Sequence, residues 1–216
     1  MTQRITLLAL GLAAAFSAAC GTTDGNYQLA TETRTVSPFT LVDANYGVAV
    51  TLTMDPAQTG DVSLDVSAES NLLSSVATNV ANDKLSVSVS DTVEAHLPIT
   101  VVGTVNDISD AQAHNGAAIV LEEVDRETLT VGSQDGASLT AKGSVDSLTV
   151  TSADGASIVC GDLTATTAEV GLNNGASAIV CVSGQVTGSV DNGATLTVLC
   201  GGSTSGVTTS NGGTIN

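Results

Sequence analysis

Hydrophobic and polar residues alternate in short runs through the first half of the chain. The alternation is regular in Val48–Leu52, Val62–Val66 and Leu85–Val89. A period of two residues is typical of a β-strand with one buried face. The same pattern predicts strands at Arg34–Val42 and Ile99–Val102.

The connections between these strands are less uniform. The triplets Asn45-Tyr46-Gly47 and Asn82-Asp83-Lys84 predict turns, because Asn, Asp and Gly tolerate turn conformations. The segment 70–81 carries aliphatic residues at helix-like spacing: Leu72, Leu73, Val76 and Val80. Its pattern leaves a short helix and an irregular excursion both open.

A phrase with Asn or Asp before Gly recurs through the second half of the chain. Its members are Asn115-Gly116, Asp135-Gly136, Asp154-Gly155, Asn174-Gly175, Asn192-Gly193 and Asn211-Gly212. Successive glycines are 20, 19, 20, 18 and 19 residues apart. Such a period predicts a solenoid in which one structural unit is copied along an axis. Since Gly, Asn and Asp reach positive φ, the phrases are expected to form a column of turns along one edge.

Equivalent positions around these glycines carry similar apolar side chains. Three residues after the glycine lie Ile119, Leu139, Ile158, Ala178, Leu196 and Ile215. Five residues before it lie Val131, Val150, Val170, Gly188 and Val207. Like side chains can then stack from coil to coil with strands about 4.8 Å apart. The prediction is an all-β, single-chain parallel β-helix of about 20 residues per coil, with an antiparallel meander as the alternative.

The domain organisation follows from where the repeat begins. Residues 113–216 are predicted to form regular coils, and residues 34–112 less regular ones. Residues 20–33 are polar and are predicted to be a flexible tether. An apolar run from Ile5 to about Phe16, after Arg4 and before small residues, predicts a cleaved lipoprotein-type signal peptide over residues 1–19.

The Ala-Ala-Cys ending of this signal resembles the lipobox of bacterial lipoproteins. The resemblance implies lipidation of Cys20, and Gly21 after it implies the outer membrane. Ser17 departs from the aliphatic residue usual in that motif. The alternative is cleavage by ordinary signal peptidase, with Cys20 left as a free thiol. Either route predicts an exported protein of the cell envelope.

The charge balance restricts the partners. Lys and Arg number 5 against 22 Asp and Glu, giving a formal net charge of -17. This surface repels phosphate backbones, so nucleic acid is excluded as an expected partner, and cations are electrostatically favoured. Only 2% of residues are aromatic while 42% are hydrophobic, which favours a slim core of small side chains.

Three cysteines follow the period of the repeat. Cys160, Cys181 and Cys200 are separated by 21 and 19 residues and are expected to end the same strand in successive coils. Stacked cysteines would lie within disulfide range. Buried core thiols, one disulfide with a thiol left over, and a three-thiolate metal site all remain open. No His lies beside them in sequence to complete a zinc site.

Motifs that carry chemistry are not found. The sequence contains no nucleophile elbow, HExxH, P-loop or dinucleotide fingerprint, and outside the three cysteines no catalytic residue, metal site or cofactor is expected. The carboxylates around Arg126, among them Glu122, Glu123, Asp125 and Glu127, are interpreted as a solvated face. Rows of outward Thr and Ser are interpreted as ordinary strand residues. His96 and His114 are too far apart in sequence to form a motif.

Several segments together resemble a known bacterial family. They are the opening Arg34-x-Val36-x-x-Phe39, the series Leu64, Val66, Glu69 and Asn71, the strand Lys84–Val87, and the Gly-Ala phrases that follow. This combination is similar to the family called putative auto-transporter adhesin, head GIN domain, over about Arg34 to Asn216. The resemblance implies an exported β-helix, often a lipoprotein, and brings no catalytic residues. The cysteines and the Asn or Asp before Gly depart from the family pattern.

These observations lead to one functional prediction and one alternative. The prediction is an exported, lipid-anchored envelope protein that acts as a non-catalytic surface binding, adhesin-like or structural module for a glycan or protein ligand. The alternative is a carbohydrate-active enzyme, a polysaccharide lyase or hydrolase, on the same scaffold. Self-association into homo-oligomers is a further expectation, because the last coil, Gly212–Asn216, has no evident polar cap.

Overall fold

The computed structural model describes residues 21–90 and 92–216. The predicted signal peptide over 1–19 and the predicted lipidation site Cys20 lie outside the described residues. The described chain is all-β with one short 3₁₀ helix, Leu73–Ser75. The strands are β1 (Thr23–Asp24), β2 (Leu29–Val36), β3 (Leu41–Ala44), β4 (Ala49–Met54), β5 (Val62–Glu69), β6 (Val76–Ala81), β7 (Lys84–Val89), β8 (Val93–Glu94), β9 (Thr100–Val105), β10 (Asp110–Ala113), β11 (Ala118–Ser133), β12 (Ser138–Ser152), β13 (Ser157–Leu172), β14 (Ser177–Val182), β15 (Gln185–Val190), β16 (Thr195–Leu199), β17 (Ser203–Thr209) and β18 (Thr214–Ile215).

The second half of the chain is a parallel β-solenoid. The long strands β11, β12 and β13 pair side by side in parallel. The shorter pairs β14 with β15 and β16 with β17 continue the stack, and β18 follows on β16. The predicted parallel β-helix is therefore confirmed, and the antiparallel meander is wrong for residues 113–216.

The core consists of the predicted columns of like side chains. Ile119, Leu139, Ile158, Ala178, Leu196 and Ile215 are register partners in successive coils. A second column joins Val131, Val150, Val170, Gly188 and Val207. Leu139 and Val150 are completely buried. Burial of one such side chain stabilises the fold by about 1.5–3 kcal/mol, so the columns hold the coils together.

A bulge bends the long strands between their two halves. The register between β11 and β12 shifts between Leu121 and Val124, opposite Gly143. Gly143 has φ 130°, and a Cβ there would lie 2.0 Å from the carbonyl oxygen of Val124. Only glycine fits this approach of two backbones. The bend lets one continuous strand serve two sides of the coil.

The first half of the chain combines parallel coils with antiparallel strands. β3 and β4 pair in parallel with β10 and β11 and so join the solenoid. β5 pairs antiparallel with β2 and β9, and β6 pairs antiparallel with β7. These antiparallel strands cover the N-terminal end of the stack, where a solenoid needs a cap because its last coil has no further neighbour.

Arg34 fixes the segment whose structure the sequence left open. The segment 70–81 forms the 3₁₀ helix and then β6. The guanidinium of Arg34, on β2, donates to the carbonyl oxygens of Leu73 at 2.9 Å and Val76 at 2.6 Å. These bonds satisfy backbone groups at the end of a helix too short to pair them internally.

The structure departs from the predicted tether over residues 20–33. Thr23–Asp24 form β1, which pairs in parallel with β8, and Leu29–Thr33 belong to β2. The sequence did not reveal β2 because it is an edge strand whose side chains are mostly exposed, so its hydrophobic alternation is weak. Among the described residues, no helix has the length and apolar character needed to cross a membrane.

Candidate functional site

The Asn-Gly and Asp-Gly corners form a continuous column. All six Asn and Asp residues of the phrase have positive φ, between 46° and 55°. The N–H of each of the first five corner glycines donates to the carbonyl oxygen of the Asn or Asp in the next coil, for example from Gly116 to Asp135 at 3.1 Å and from Gly155 to Asn174 at 3.0 Å. The corner residues thus connect the coils through their backbones.

The side chains of this column are bonded over only part of its length. Asn174 donates to Asp154 at 2.9 Å, Asn192 donates to Asn174 at 3.3 Å, and Asn211 donates to Asn192 at 3.1 Å. Asp135 and Asp154 are adjacent and exposed, and two carboxylates offer each other no donor. In the described part of the chain, no group of three His, Cys, Asp or Glu is placed to hold a metal ion.

The three repeat cysteines do not form the expected stack. Cys160 is the register partner of Val180, whereas Cys181 is the partner of Leu199. The residues lie five, six and seven positions after their corner glycines, and a shift of one residue changes the face of a strand. Cys181 and Cys200 form a disulfide with Cα atoms 5.1 Å apart.

Cys160 is a buried free thiol in the described chain. Burial raises the pKa of the Cys160 thiol to about 12, although a backbone hydrogen bond at Ala141 acts in the opposite direction. Since the thiolate is the reactive form, Cys160 is an inert core residue at neutral pH.

The predicted carboxylate patch lies along an open depression on the side of the solenoid. Asp125, Glu127 and Asp146 line this depression of about 470 Å³ together with hydroxyl side chains such as Ser144 and Thr164. Arg126, which these carboxylates flank in the sequence, donates to Asp107 at 2.6 Å. Glu122 instead pairs with Lys142 at 3.1 Å. The depression is a broad polar surface.

A buried carboxylate organises the N-terminal end of the molecule. Glu69 is completely buried at the end of β5. It accepts hydrogen bonds from the backbone N–H groups of Tyr27 at 2.5 Å, His96 at 2.8 Å and Leu97 at 3.4 Å. Burial alone would raise the pKa of Glu69, but these three bonds and the nearby His96 together lower it below its usual 4.5. The ionised carboxylate, on β5, therefore holds two other segments, the one before β2 and the one after β8.

The same segments carry a stacked pair of rings. The Tyr27 and His96 rings lie parallel with centroids 4.2 Å apart. The Nε2 atom of His96 lies 2.6 Å from a carboxylate oxygen of Asp24. Asn71 donates to the carbonyl oxygen of Asp24 at 2.8 Å. The imidazole is thus held on one face by Tyr27 and at one nitrogen by Asp24.

A cavity of about 440 Å³ opens beside this imidazole. Its lining residues are Tyr46, Gly47, Val89, Val93, Ala95, His96, Leu97, Pro98 and Ile99. Tyr46 is half exposed at its edge. The sequence pattern placed Tyr46 in a turn and set His96 aside as isolated, because their approach depends on the antiparallel cap. The available signal was the Tyr-Gly pair at a corner where later coils have Asn-Gly or Asp-Gly.

The fold and these surfaces define a class of protein. The chain is a β-solenoid with a capped N-terminal end and open, polar side faces. The family model described as putative auto-transporter adhesin, head GIN domain matches residues 38–202, so the chain belongs to this family. The match confirms the predicted family resemblance over residues 38–202, a range that includes Glu69 and the Gly-Ala phrases from Gly116 to Gly193. An adhesin family indicates a surface or exported protein.

Solved structures share the fold at low sequence identity. A putative adhesin from Bacteroides fragilis is 14% identical with a TM-score of 0.69, covering 87% of this chain and 94% of its own. A putative adhesin from Parabacteroides merdae is 11% identical with a TM-score of 0.58, covering 90% and 98%. A putative lipid binding protein from Parabacteroides distasonis is 11% identical with a TM-score of 0.55, also covering 90% and 98%. The comparison with curated proteins gives no match.

Proposed function

We propose that this chain is a non-catalytic, adhesin-like binding module of the cell envelope. The observation that carries the proposal is the match to the adhesin family over residues 38–202. The solenoid supports it physically, because stacked coils create long, rigid side faces on which a ligand can be bound by many weak contacts. The ligand is a glycan or a protein, since a net charge of -17 repels nucleic acid.

Attachment to the outer membrane through a lipid on Cys20 is part of the same proposal. It is supported by the Ala-Ala-Cys ending of the apolar N-terminal run and by Gly21 after it. One lipid-modified terminus would keep the module at the surface while leaving the solenoid free to bind. The carbohydrate-active enzyme alternative receives no support from the family or from the similar structures.

A cell-binding measurement tests the module itself. Purified chain, labelled on its amines, is incubated with bacterial and epithelial cells and with an array of glycans and matrix proteins, in parallel with a labelled acidic protein of similar charge. We expect saturable binding that unlabelled chain competes away. Equal, non-saturable retention of both proteins on every surface would overturn the proposal.

A separate measurement tests the anchor. Replacement of Cys20 by Ala should move the protein from the membrane fraction to the soluble exported fraction, and mass spectrometry should find a lipid on Cys20 in the parent chain. The Cys160→Ala variant is the matched control, because Cys160 is a buried thiol. A membrane-bound Cys20→Ala protein would refute the anchor and leave the binding function untouched.

A further inference from the structure

Both tyrosines of this protein lie at the N-terminal cavity or beside it. The chain has two tyrosines and no tryptophan. Tyr46 lines the N-terminal cavity, and Tyr27 stacks on the His96 ring that lines the same cavity. Tyr27 is 67% exposed and Tyr46 is 50% exposed. Exposed aromatic rings at a cavity mouth are typical of ligand contacts, since packing in the core does not require them there.

Tyr46 occupies a backbone position that disfavours tyrosine. The N–H of Gly47 donates to the carbonyl oxygen of Asn115 at 3.2 Å, as the N–H of Gly116 donates to Asp135 at 3.1 Å. Tyr46 is therefore the equivalent of the Asn or Asp in the later corners. Its φ is 59°, a left-handed conformation that Asn and Asp tolerate and that a bulky side chain rarely adopts. Strained backbone conformations of this kind cluster at functional sites, which favours a functional role for Tyr46.

The polar group of the cavity is held in a fixed position. Asp24 lies 2.6 Å from Nε2 of His96, the ring of Tyr27 lies on one face of the imidazole, and Glu69 accepts the His96 backbone N–H. Three separate contacts thus orient one imidazole before a ligand arrives. Such preorganisation lowers the entropy cost of binding.

The lining also restricts the charge of a ligand. Apart from His96, the described residues that line the cavity are Tyr46, a glycine, a proline and aliphatic side chains, and they include no carboxylate, Lys or Arg. A charged ligand would lose hydration there without a charged partner. An aromatic cage for an organic cation needs several exposed aromatic rings around the cation. Tyr46 is the one tyrosine that lines this cavity, so the lining does not favour an organic cation. The lining fits a neutral ligand with one apolar and one polar side.

We propose that this cavity binds a sugar ring of a neutral glycan, an inference that rests on the proposed binding function and specifies its ligand and location. The apolar C–H face of the sugar packs against the Tyr46 ring, where the negative face of the aromatic ring attracts polarised hydrogens. The hydroxyl groups of the sugar form hydrogen bonds on the polar side of the cavity, at His96 and at backbone groups near the cavity mouth. The solenoid presents this end cavity as the recognition site of the module.

The aromatic composition provides a direct probe. Because the chain has two tyrosines and no tryptophan, intrinsic tyrosine fluorescence reports on Tyr27 and Tyr46 alone. The purified full-length chain, in a detergent without a sugar headgroup, is titrated with neutral trisaccharides built from galactose, mannose or N-acetylglucosamine. Sialyllactose serves as a charged comparison. We expect a saturable change in tyrosine emission with a neutral trisaccharide, independent of salt concentration.

Two substitutions separate a binding role from a structural one. Tyr46→Asn installs the residue type of the other corners, so it should raise the melting temperature while the Kd measured by calorimetry rises by about tenfold. Tyr46→Phe keeps the ring and should keep the affinity. Leu199→Ala, which removes another exposed apolar side chain in a distant coil, should change neither emission nor affinity.

The outcomes separate a failure of the proposed cavity site from a failure of the proposed binding function. Binding of a trisaccharide that Tyr46→Asn leaves intact overturns the site, as does an unchanged emission with every trisaccharide. If Tyr46→Asn also binds cells as the parent chain does, the module survives and the cavity proposal fails. A salt-sensitive response to a charged ligand alone overturns the neutral-glycan assignment. Lower stability of Tyr46→Asn would show that Tyr46 is retained for structure.

Discussion

Glu69 is a buried carboxylate that connects irregular segments at the capped end of the solenoid. An ionised group without partners would be costly in this position, but three backbone N–H groups bond to it. They come from the segment before β2 and from the segment that follows β8. The charge of Glu69 therefore adds to the β1–β8 pairing and the Asp24 contacts that hold these two irregular segments on the cap.

The lowered pKa of Glu69 predicts an acid-sensitive cap. Because the folded pKa lies below the usual 4.5, the stability that Glu69 contributes is fully present above that pH and is lost as the pH falls through the folded value. We expect Glu69→Gln to be less stable than the parent at pH 7. Its free energy of unfolding, measured with urea, should also fall less steeply with acid below pH 4.5.

Glu94→Gln provides the matched control, since Glu94 is exposed and carries the same charge. It should be close to the parent at pH 7 and should keep the acid-dependent loss. If Glu69→Gln and Glu94→Gln showed the same pH profile, Glu69 would have no special part in the cap.

At the scale of the strands, the repeat determines most of what the sequence could predict. The two columns that contain Leu139 and Val150 follow directly from spacing, because coils of nearly equal length put residues at the same offset from the corner glycine on the same face. The offsets of Cys160, Cys181 and Cys200 each differ by one residue, and β13 shifts register against β14 between Cys160 and Thr164. Residue spacing alone does not locate such a register shift, because the shift depends on which residues form the bulge.

The corner column contains one electrostatic defect that substitution can repair. Asp135 and Asp154 are neighbours in the column, whereas Asn174 donates to Asp154. Asp154→Asn removes one carboxylate and supplies an amide that can donate to Asp135. We expect a gain of about 0.5 kcal/mol, at the low end of the range for a net hydrogen bond because the corner is exposed. Urea unfolding at low salt measures it.

The reverse substitution tests the same cause. Asn174→Asp would place three carboxylates in successive corners and remove the bond to Asp154, so it should reduce stability by a similar amount. The loss should shrink at high salt, since exposed charges are screened. If Asn174→Asp left the stability unchanged, or if Asp154→Asn lowered it, repulsion between Asp135 and Asp154 would not be the cause.

For the whole molecule, the two ends of the stack are finished by different means. The N-terminal end is covered by antiparallel strands and by the segments that Glu69 joins. The sequence did not predict this cap or its cavity, because His96 lies far from Tyr27 and Tyr46 in the chain and approaches them only through the fold of the antiparallel strands. Near the other end, the Cys181–Cys200 disulfide joins two successive coils. In a solenoid each coil contacts only its neighbours, so the end coils open most easily.

The disulfide is therefore expected to protect the C-terminal coils from local opening. It closes a loop with a sequence separation of 19. A loop of this length lowers the conformational entropy of the unfolded chain and so stabilises the folded state by about 3 kcal/mol. In the Cys181→Ser/Cys200→Ser double variant, amide hydrogen exchange in β16, β17 and β18 should accelerate by about 100-fold, while β11 and β12 keep their protection. Cys160→Ala is the control, because it removes a thiol without cutting the link between coils. An acceleration spread evenly from β11 to β18 would mean that the coils open as one unit and that the disulfide stabilises the whole body.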